Sequence, residues 1–94
     1  MRHETYAAVR GPVETSINFI QKNGISIDNP NLSLNLLMPL NEETLAYFKR
    51  YSKFYLQTER GLEAHKICWR VEAIDWISTP GILEIAAQEY FSND

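Results

Sequence analysis

The sequence has few of the residues that cross-link small folds or carry a chain into a membrane. A single cysteine, Cys68, among 94 residues excludes an internal disulfide framework and is typical of a reducing compartment. No apolar run approaches the roughly 18–20 residues of a membrane-spanning helix. The first residues also lack the apolar segment of a signal peptide. The sequence therefore predicts a cytoplasmic protein without membrane contact.

Catalytic and cofactor-binding signatures are missing as well. The four glycines stand alone, at positions 11, 24, 61 and 81, so there is no glycine-rich phosphate loop. A structural zinc site needs about four ligands, and the chain has only two histidines. His65, Cys68 and Glu72 would share one face of a helix, but a lone cysteine in an apolar segment is more often a small buried hydrophobe. We predict that the protein is not an enzyme and holds no metal or cofactor.

Basic residues are absent from the last part of the chain, and this uneven charge is informative. Residues 71–94 hold five acidic side chains, whereas residues 44–70 hold six basic and two acidic ones. Such a split predicts pairing between the middle and the C-terminal segment, or two surfaces of opposite sign. The net charge is −3 and the pI is near 5.3, as in an acidic protein. Both values argue against a dedicated nucleic-acid binder.

The composition is otherwise that of a globular protein. Hydrophobic residues make up 45% of the chain and charged residues 22%. No linker or repeat divides the sequence, so residues 1–94 are expected to form a single compact domain.

Residues that favour helix starts and ends, together with apolar periodicity, predict a mainly α fold with some β structure. Pro12 suits a first helical position and Gly24 suits the residue after a helix end, which predicts a helix over 12–23. Asn41 is a suitable N-cap before Glu42, and the apolar stripe that follows predicts a central helix over 41–60. Thr79 and Pro80 similarly predict the start of a helix over 80–91.

Two segments are ambiguous between helix and strand. Residues 62–78 alternate apolar and polar side chains, but their length and good helix formers favour a helix. Residues 25–37 also alternate around the turn formers Asp28 to Asn31, which predicts a short β-hairpin or extended segment. A helix capped by Asn29 is the competing interpretation there.

The length of a continuous helix over 41–78 requires a bend. At 1.5 Å per residue such a helix would run about 57 Å, well beyond the roughly 32 Å diameter of a globule of this size. We therefore predict a bend at Thr58–Gly61, with the second helix folding back on the first.

The surplus of aromatic and basic surface predicts a partner. Trp69 and Trp76 are seven residues apart and would share a helix face. Burial in the core is the favoured role for them, and the alternative is an interface anchor, since tryptophan is enriched in binding hot spots. Lys49, Lys53 and Arg60 would form a basic ridge on the central helix. We predict a protein-binding module, acting as a regulator, inhibitor or assembly factor through these helix surfaces, with a homodimer as one form of partnership. The alternative is nucleic-acid binding through the basic ridge.

Overall fold

The fold is a curled antiparallel sheet with two helices. The computed structural model describes the backbone of residues 2–91 and the side chains of residues 13–91. This described part contains, in chain order, α1 (Arg2–Asn23), β1 (Ser26–Asp28), β2 (Ser33–Pro39), α2 (Glu42–Arg50), β3 (Lys53–Arg60), β4 (Glu63–Asp75) and β5 (Ile82–Glu89). The five strands form one sheet in the order β1-β2-β5-β4-β3, curled into a half-barrel.

The prediction of a mainly α fold with four helices is therefore wrong, and so is the description of the protein as helical. The predicted helix over 41–60 is helical only as far as Arg50, and the rest of it is β3. The predicted helices over 62–78 and 80–91 are the strands β4 and β5. In residues 62–78 the alternation of apolar and polar residues was the correct signal, and it outweighs helix propensity because one face of the strand is buried.

The β-hairpin near 25–37 is present. Ile27 of β1 pairs with Leu36 of β2 in an antiparallel ladder. The turn between the strands places Asn31 at a φ of 71°, a left-handed conformation that asparagine adopts more readily than most residues. The turn formers around Pro30 thus interrupt the chain as the sequence indicates.

Helix α1 ends where the sequence predicts but begins earlier. Gly24 follows its last residue, and a Cβ at that position would lie 2.7 Å from the carbonyl oxygen of Ile20. The helix starts at Arg2, so Pro12 lies within it rather than at its first turn. None of the helices in residues 2–91 is long and apolar enough to cross a membrane.

Helix α2 is short and capped at its N-terminus. The Asn41 side chain accepts a hydrogen bond from the Thr44 N–H at 2.9 Å, and the Thr44 hydroxyl accepts one from the Asn41 N–H at 3.2 Å. This reciprocal pair satisfies two N–H groups at the helix start. The predicted N-cap is confirmed.

The core lies between the two helices and the inner face of the sheet. Ile20 of α1 and Phe48 of α2 pack against the inward side chains of the strands. The fully buried inward positions are Leu34, Leu36 and Met38 of β2, Leu83 and Ile85 of β5, Trp69 of β4 and Phe54 of β3. Because side chains alternate along a strand, burial of these residues directs their neighbours to the outer face.

Two glycines make the tight turns that join the last three strands. Gly61, with φ of 65°, is the first of two loop residues between Arg60 and Glu63, as in a type II′ hairpin. Gly81, with φ of 78°, follows Pro80 in a turn closed by the Ile82 N–H and the Thr79 carbonyl at 3.1 Å. The chain does reverse near Gly61, but between two strands, so the predicted bend between helices is wrong.

The two edges of the sheet differ in how far they are covered by other parts of the chain. At the β3 edge, the Ser16 hydroxyl of α1 accepts a hydrogen bond from the Tyr55 N–H at 2.7 Å and donates one to the Tyr55 carbonyl at 3.4 Å. At the other edge, the short β1 exposes about half of Ile27. Helix α1 therefore covers one edge and leaves the other open.

Candidate binding surface on the outer face of the sheet

The outer face of the sheet presents charged, polar and small side chains, and α1 reaches it through the ion pair of Glu14 with Lys66. Its outward positions are Ser33, Asn35 and Leu37 of β2, Ile82, Glu84, Ala86 and Gln88 of β5, Lys66, Cys68, Arg70, Ala73 and Asp75 of β4, and Lys53, Tyr55 and Gln57 of β3. A bulge in β4 at Glu72 keeps both Val71 and Ile74 directed inward. The face thus remains open across four strands.

The end of this face nearest β3 is basic. Lys53 lies directly opposite Arg70 on the neighbouring strand. The ammonium of Lys53 lies 4.0 Å from the ring centroid of Tyr90, and the Arg70 guanidinium pairs with Glu72 at 2.9 Å. Like charges that face each other across a ladder are destabilising, and the contacts with Tyr90 and Glu72 offset part of this repulsion.

The opposite end, on β4 and β5, is acidic. Asp75 lies directly opposite Glu84. One carboxylate oxygen of Asp75 accepts hydrogen bonds from the N–H groups of Ile77 and Ser78, at 2.9 and 3.1 Å. Hydrogen bonds from the Ser78 side chain and from both N–H groups lower the pKa of Asp75. Glu84 accepts a hydrogen bond from the Thr79 hydroxyl at 3.0 Å, so both carboxylates are held in place.

A shallow groove lies at the acidic end of the face. Its outward lining consists of Leu37, Ala73 and Ala86, beside Asn35 and the two carboxylates of Asp75 and Glu84. The groove is an open depression of about 410 Å³. A surface of this kind lets another backbone approach closely, because alanine side chains do not project.

The thiol on this face is not arranged for catalysis. Cys68 is half-buried beside Tyr55, and burial raises the pKa of the Cys68 thiol. A raised pKa lowers the fraction of reactive thiolate. His65 and Cys68 lie three residues apart on a strand, and therefore on opposite faces, so the row with Glu72 considered from the sequence does not form. Within the residues that the structure describes, no group of three or more His, Cys, Asp and Glu side chains converges to hold a metal.

The predicted partner-binding residues do not form one surface. Lys49 and Trp76 come together, with the Lys49 ammonium 5.7 Å from the Trp76 ring centroid. Lys53 lies at the basic end of the outer face. The basic ridge of the central helix does not exist, because Lys49 lies on α2 while Lys53 and Arg60 lie on β3.

Trp69 and Arg60 have roles on the inner side of the sheet. Trp69 is completely buried, and its indole N–H has no acceptor among the groups that the structure describes. Arg60, at the hairpin tip, pairs with Glu89, whose side chain is only 7% exposed. Trp76, by contrast, lies beyond the end of β4 and is 41% exposed. Of the two tryptophans, only Trp76 is available to a partner.

The charge split seen in the sequence has both of the predicted outcomes. The ion pair of Arg60 with Glu89 joins the middle of the chain to its acidic C-terminal segment. The outer face also presents a basic end and an acidic end. Sequence reasoning missed Arg70, Asp75 and Glu84 as surface residues of one site, although their alternation with apolar neighbours was the signal that would have found them.

A second opening lies on the inner side of the half-barrel, between β1 and β3. It encloses about 760 Å³, and its walls include the apolar Ile27, Leu34 and Leu56. The polar wall residues are Gln21, Asn29, Gln57, Thr58 and Glu59. A single carboxylate and several amides do not make a catalytic or charge-selective array, so the outer face is the stronger candidate site.

Comparison with known proteins shows no relative. No protein-family profile, curated protein or solved structure matches this chain.

Proposed function

We propose that this chain is a non-catalytic protein-binding module that acts in the cytoplasm as a regulator, inhibitor or assembly factor. Its binding surface is the outer face of the sheet and not the helix surfaces that the sequence suggested. The free thiol of Cys68 supports a reducing compartment. The partner is another protein or a second copy of the chain.

One observation carries this proposal. Two like-charge pairs, Lys53 with Arg70 and Asp75 with Glu84, lie directly across strands on the same face. Each pair weakens the isolated sheet by a few tenths of a kcal/mol to about 1 kcal/mol. Departures from locally favourable choices concentrate at functional sites, where a bound partner compensates them. The groove beside the acidic pair provides apolar contact area for that partner.

A steric block of the groove tests the proposal. Tagged wild-type chain is incubated with a lysate of its source, and separately with purified untagged chain, after nuclease treatment. The Ala73→Arg variant places a long charged side chain over the groove, and we expect it to retain at least tenfold less of the bound protein. The matched control is Ala46→Arg, on the exposed side of α2, which should bind like the wild type. Equal binding by Ala73→Arg and wild type, or no bound protein in either arm, contradicts the proposal.

Nucleic-acid binding is the second candidate, and one observation favours it. Lys53, Tyr55 and Tyr90 share the basic end of the outer face, so cations and aromatic rings lie side by side as they do in single-strand binders. Submicromolar binding to single-stranded DNA or RNA with a steep salt dependence, lost in Lys53→Glu, would place this function first. The acidic end of the same face opposes a polyanion, which is why protein binding ranks higher.

A further inference from the structure

The charges of the outer face are arranged in a self-complementary way. Outward residues that are paired across neighbouring strands form rows on this face. The basic pair, Lys53 and Arg70, lies in the row next to Ala73 on one side, and the acidic pair, Asp75 and Glu84, lies in the row next to it on the other side. The basic pair is displaced towards β3 and the acidic pair towards β5. The two pairs are therefore placed nearly symmetrically about Ala73.

A two-fold axis that lies parallel to the sheet and passes over Ala73 would relate two copies of the chain in agreement with this symmetry. It turns a second copy face down onto the first, with its strands nearly aligned, as in packed β-sheets. The basic pair of each copy then lies over the acidic pair of the other. An isologous interface requires this kind of self-complementary patch, in which each contact occurs twice.

Apolar groups complete the match. Ala73 and Ala86 lie beneath the axis, where small side chains allow the two sheets to approach. The half-buried Tyr55 at the basic end would meet the half-buried Ile82 at the acidic end of the other copy. Four strands about 4.8 Å apart and eight residues long cover roughly 19 by 26 Å. That footprint projects to about 500 Å², which is below the roughly 800 Å² per partner of a standard interface and corresponds to a small, weakly associating one.

We propose that the outer face binds a second copy of this chain in a two-fold dimer, with Lys53 and Arg70 of each copy paired with Asp75 and Glu84 of the other. This inference rests on the proposed function, because it names the partner of the same surface.

Contacts within each chain pre-organise the charges that take part. Tyr90 supports Lys53, the Ile77 and Ser78 N–H groups hold Asp75, and Thr79 holds Glu84. Little side-chain freedom is lost when the second copy binds, and this strengthens association.

Two further ion pairs frame the basic end. Glu72 pairs with Arg70, and Glu14 of α1 pairs with Lys66 one row beyond Cys68. Lys66 and Arg70 each have one carboxylate partner within the chain, whereas the described residues give Lys53 no ion pair. Lys53 therefore has most to gain from a carboxylate of the second copy, and Arg70 would add a second carboxylate to its guanidinium.

Charge reversal with cross-rescue tests the dimer. Sedimentation equilibrium gives the dimer dissociation constant of the wild type and of two double variants, Lys53→Glu with Arg70→Glu, and Asp75→Lys with Glu84→Lys. We expect each double variant alone to dimerise at least a hundredfold more weakly, because like charges then face each other. An equimolar mixture of the two variants restores opposite charges, and it should form a heterodimer with an affinity close to that of the wild type.

The control variant changes the net charge by the same amount at residues that lie outside the outer face of the sheet. Lys22→Glu with Arg50→Glu alters exposed residues of α1 and α2 by the same amount as the first double variant, and it should dimerise like the wild type. Circular dichroism checks that each variant is folded, and Lys53→Gln with Arg70→Gln serves as a milder version with a tenfold weakening.

The possible outcomes separate this inference from the proposed function. A wild-type chain that stays monomeric at millimolar concentration overturns the dimer. So does a mixture of the two reversal variants that remains monomeric. If the chain is monomeric while a lysate protein is captured by wild type and lost in Ala73→Arg, the proposed function stands and the partner is a different protein.

Discussion

The two faces of this sheet differ in what their side chains do. On the inner face, every position in the centre of β2, β5 and β3 is a large apolar residue with almost no exposure, such as Leu36, Ile85 and Phe54. On the outer face the central positions are small, such as Ala73 and Ala86, and the flanking positions are charged. The inner face buries apolar area, which stabilises the fold. The outer face places like charges directly opposite each other at two positions, which is unfavourable pairing.

This difference separates residues that maintain the fold from residues that we propose face a partner. Asp75 and Glu84 face each other as like charges although each is held by hydrogen bonds within the chain, and we propose that this position serves recognition of a partner. Alternation along each strand places the two kinds of residue side by side in the sequence. Neighbouring residues are therefore natural matched pairs for experiments.

The largest expected difference between the faces is at Phe54 and Tyr55. Phe54 is fully buried in the inner core, and Phe54→Ala should lower the free energy of unfolding by about 3–5 kcal/mol. Tyr55, its neighbour on the outer face, is only half-buried, and Tyr55→Ala should cost about 1 kcal/mol or less. Urea unfolding at dilutions where the chain is monomeric measures both. Equal losses would mean that the outer face is also covered in solution.

A smaller effect is expected where the inner helix layer meets the edge of β3. Ser16 is the group that satisfies both the N–H and the carbonyl of Tyr55 at that edge. Ser16→Ala should reduce the free energy of unfolding by about 1–3 kcal/mol, because it leaves partly buried backbone groups without partners. The neighbouring Thr15 is exposed, and Thr15→Ala provides the control, with no measurable loss. Amide hydrogen exchange at Tyr55 should accelerate only in the Ser16 variant, and an unchanged rate there would argue against the edge role.

The smallest effect has the opposite sign. Glu84→Gln removes the repulsion with Asp75 while its amide oxygen still accepts the hydrogen bond from Thr79. It should raise the free energy of unfolding of the monomer by about 0.2–1 kcal/mol, the scale of a cross-strand pair. Glu43→Gln, in the first turn of α2, should instead lower it by about 0.3–1 kcal/mol, because it removes a favourable charge from a helix N-terminus. Thermal unfolding at low salt compares the two, and destabilisation by Glu84→Gln would sink the assignment of a functional pair.

Signals that span a few residues were more reliable than the assignment of longer segments, although Pro12 and Thr79–Pro80 do not start helices. The cap at Asn41, the end of α1 at Gly24 and the hairpin turn near Pro30 all involve hydrogen bonds or backbone conformations within a few residues. The segment from Leu62 to Ser78 was misread because its alternation competes with residues that favour helices. A strand's stability comes from neighbouring strands, which lie far away in the sequence.

Some features of the candidate site can also be read from the sequence, and others cannot. The sequence reveals that basic and acidic residues are segregated, and it singles out Lys53 and Trp76, which the structure leaves exposed. It cannot show that Lys53 faces Arg70, since the strand register is set by the packing of the inner face. It also cannot show that Trp69 is buried while Trp76 is not, because that depends on which residues lie inside the curl of the sheet.

The sequence by itself determined the composition of two surfaces, one able to form a core and one able to carry opposite charges, together with the turns at which the chain reverses. Turn chemistry and charge are local properties, so they can be read from single residues and short spacings. Only the tertiary structure decided that most of the chain is a sheet, and which charges face each other on it. Pairing between strands as distant as β2 and β5 depends on the simultaneous burial of Leu36 and Ile85, and no short stretch of sequence contains that information.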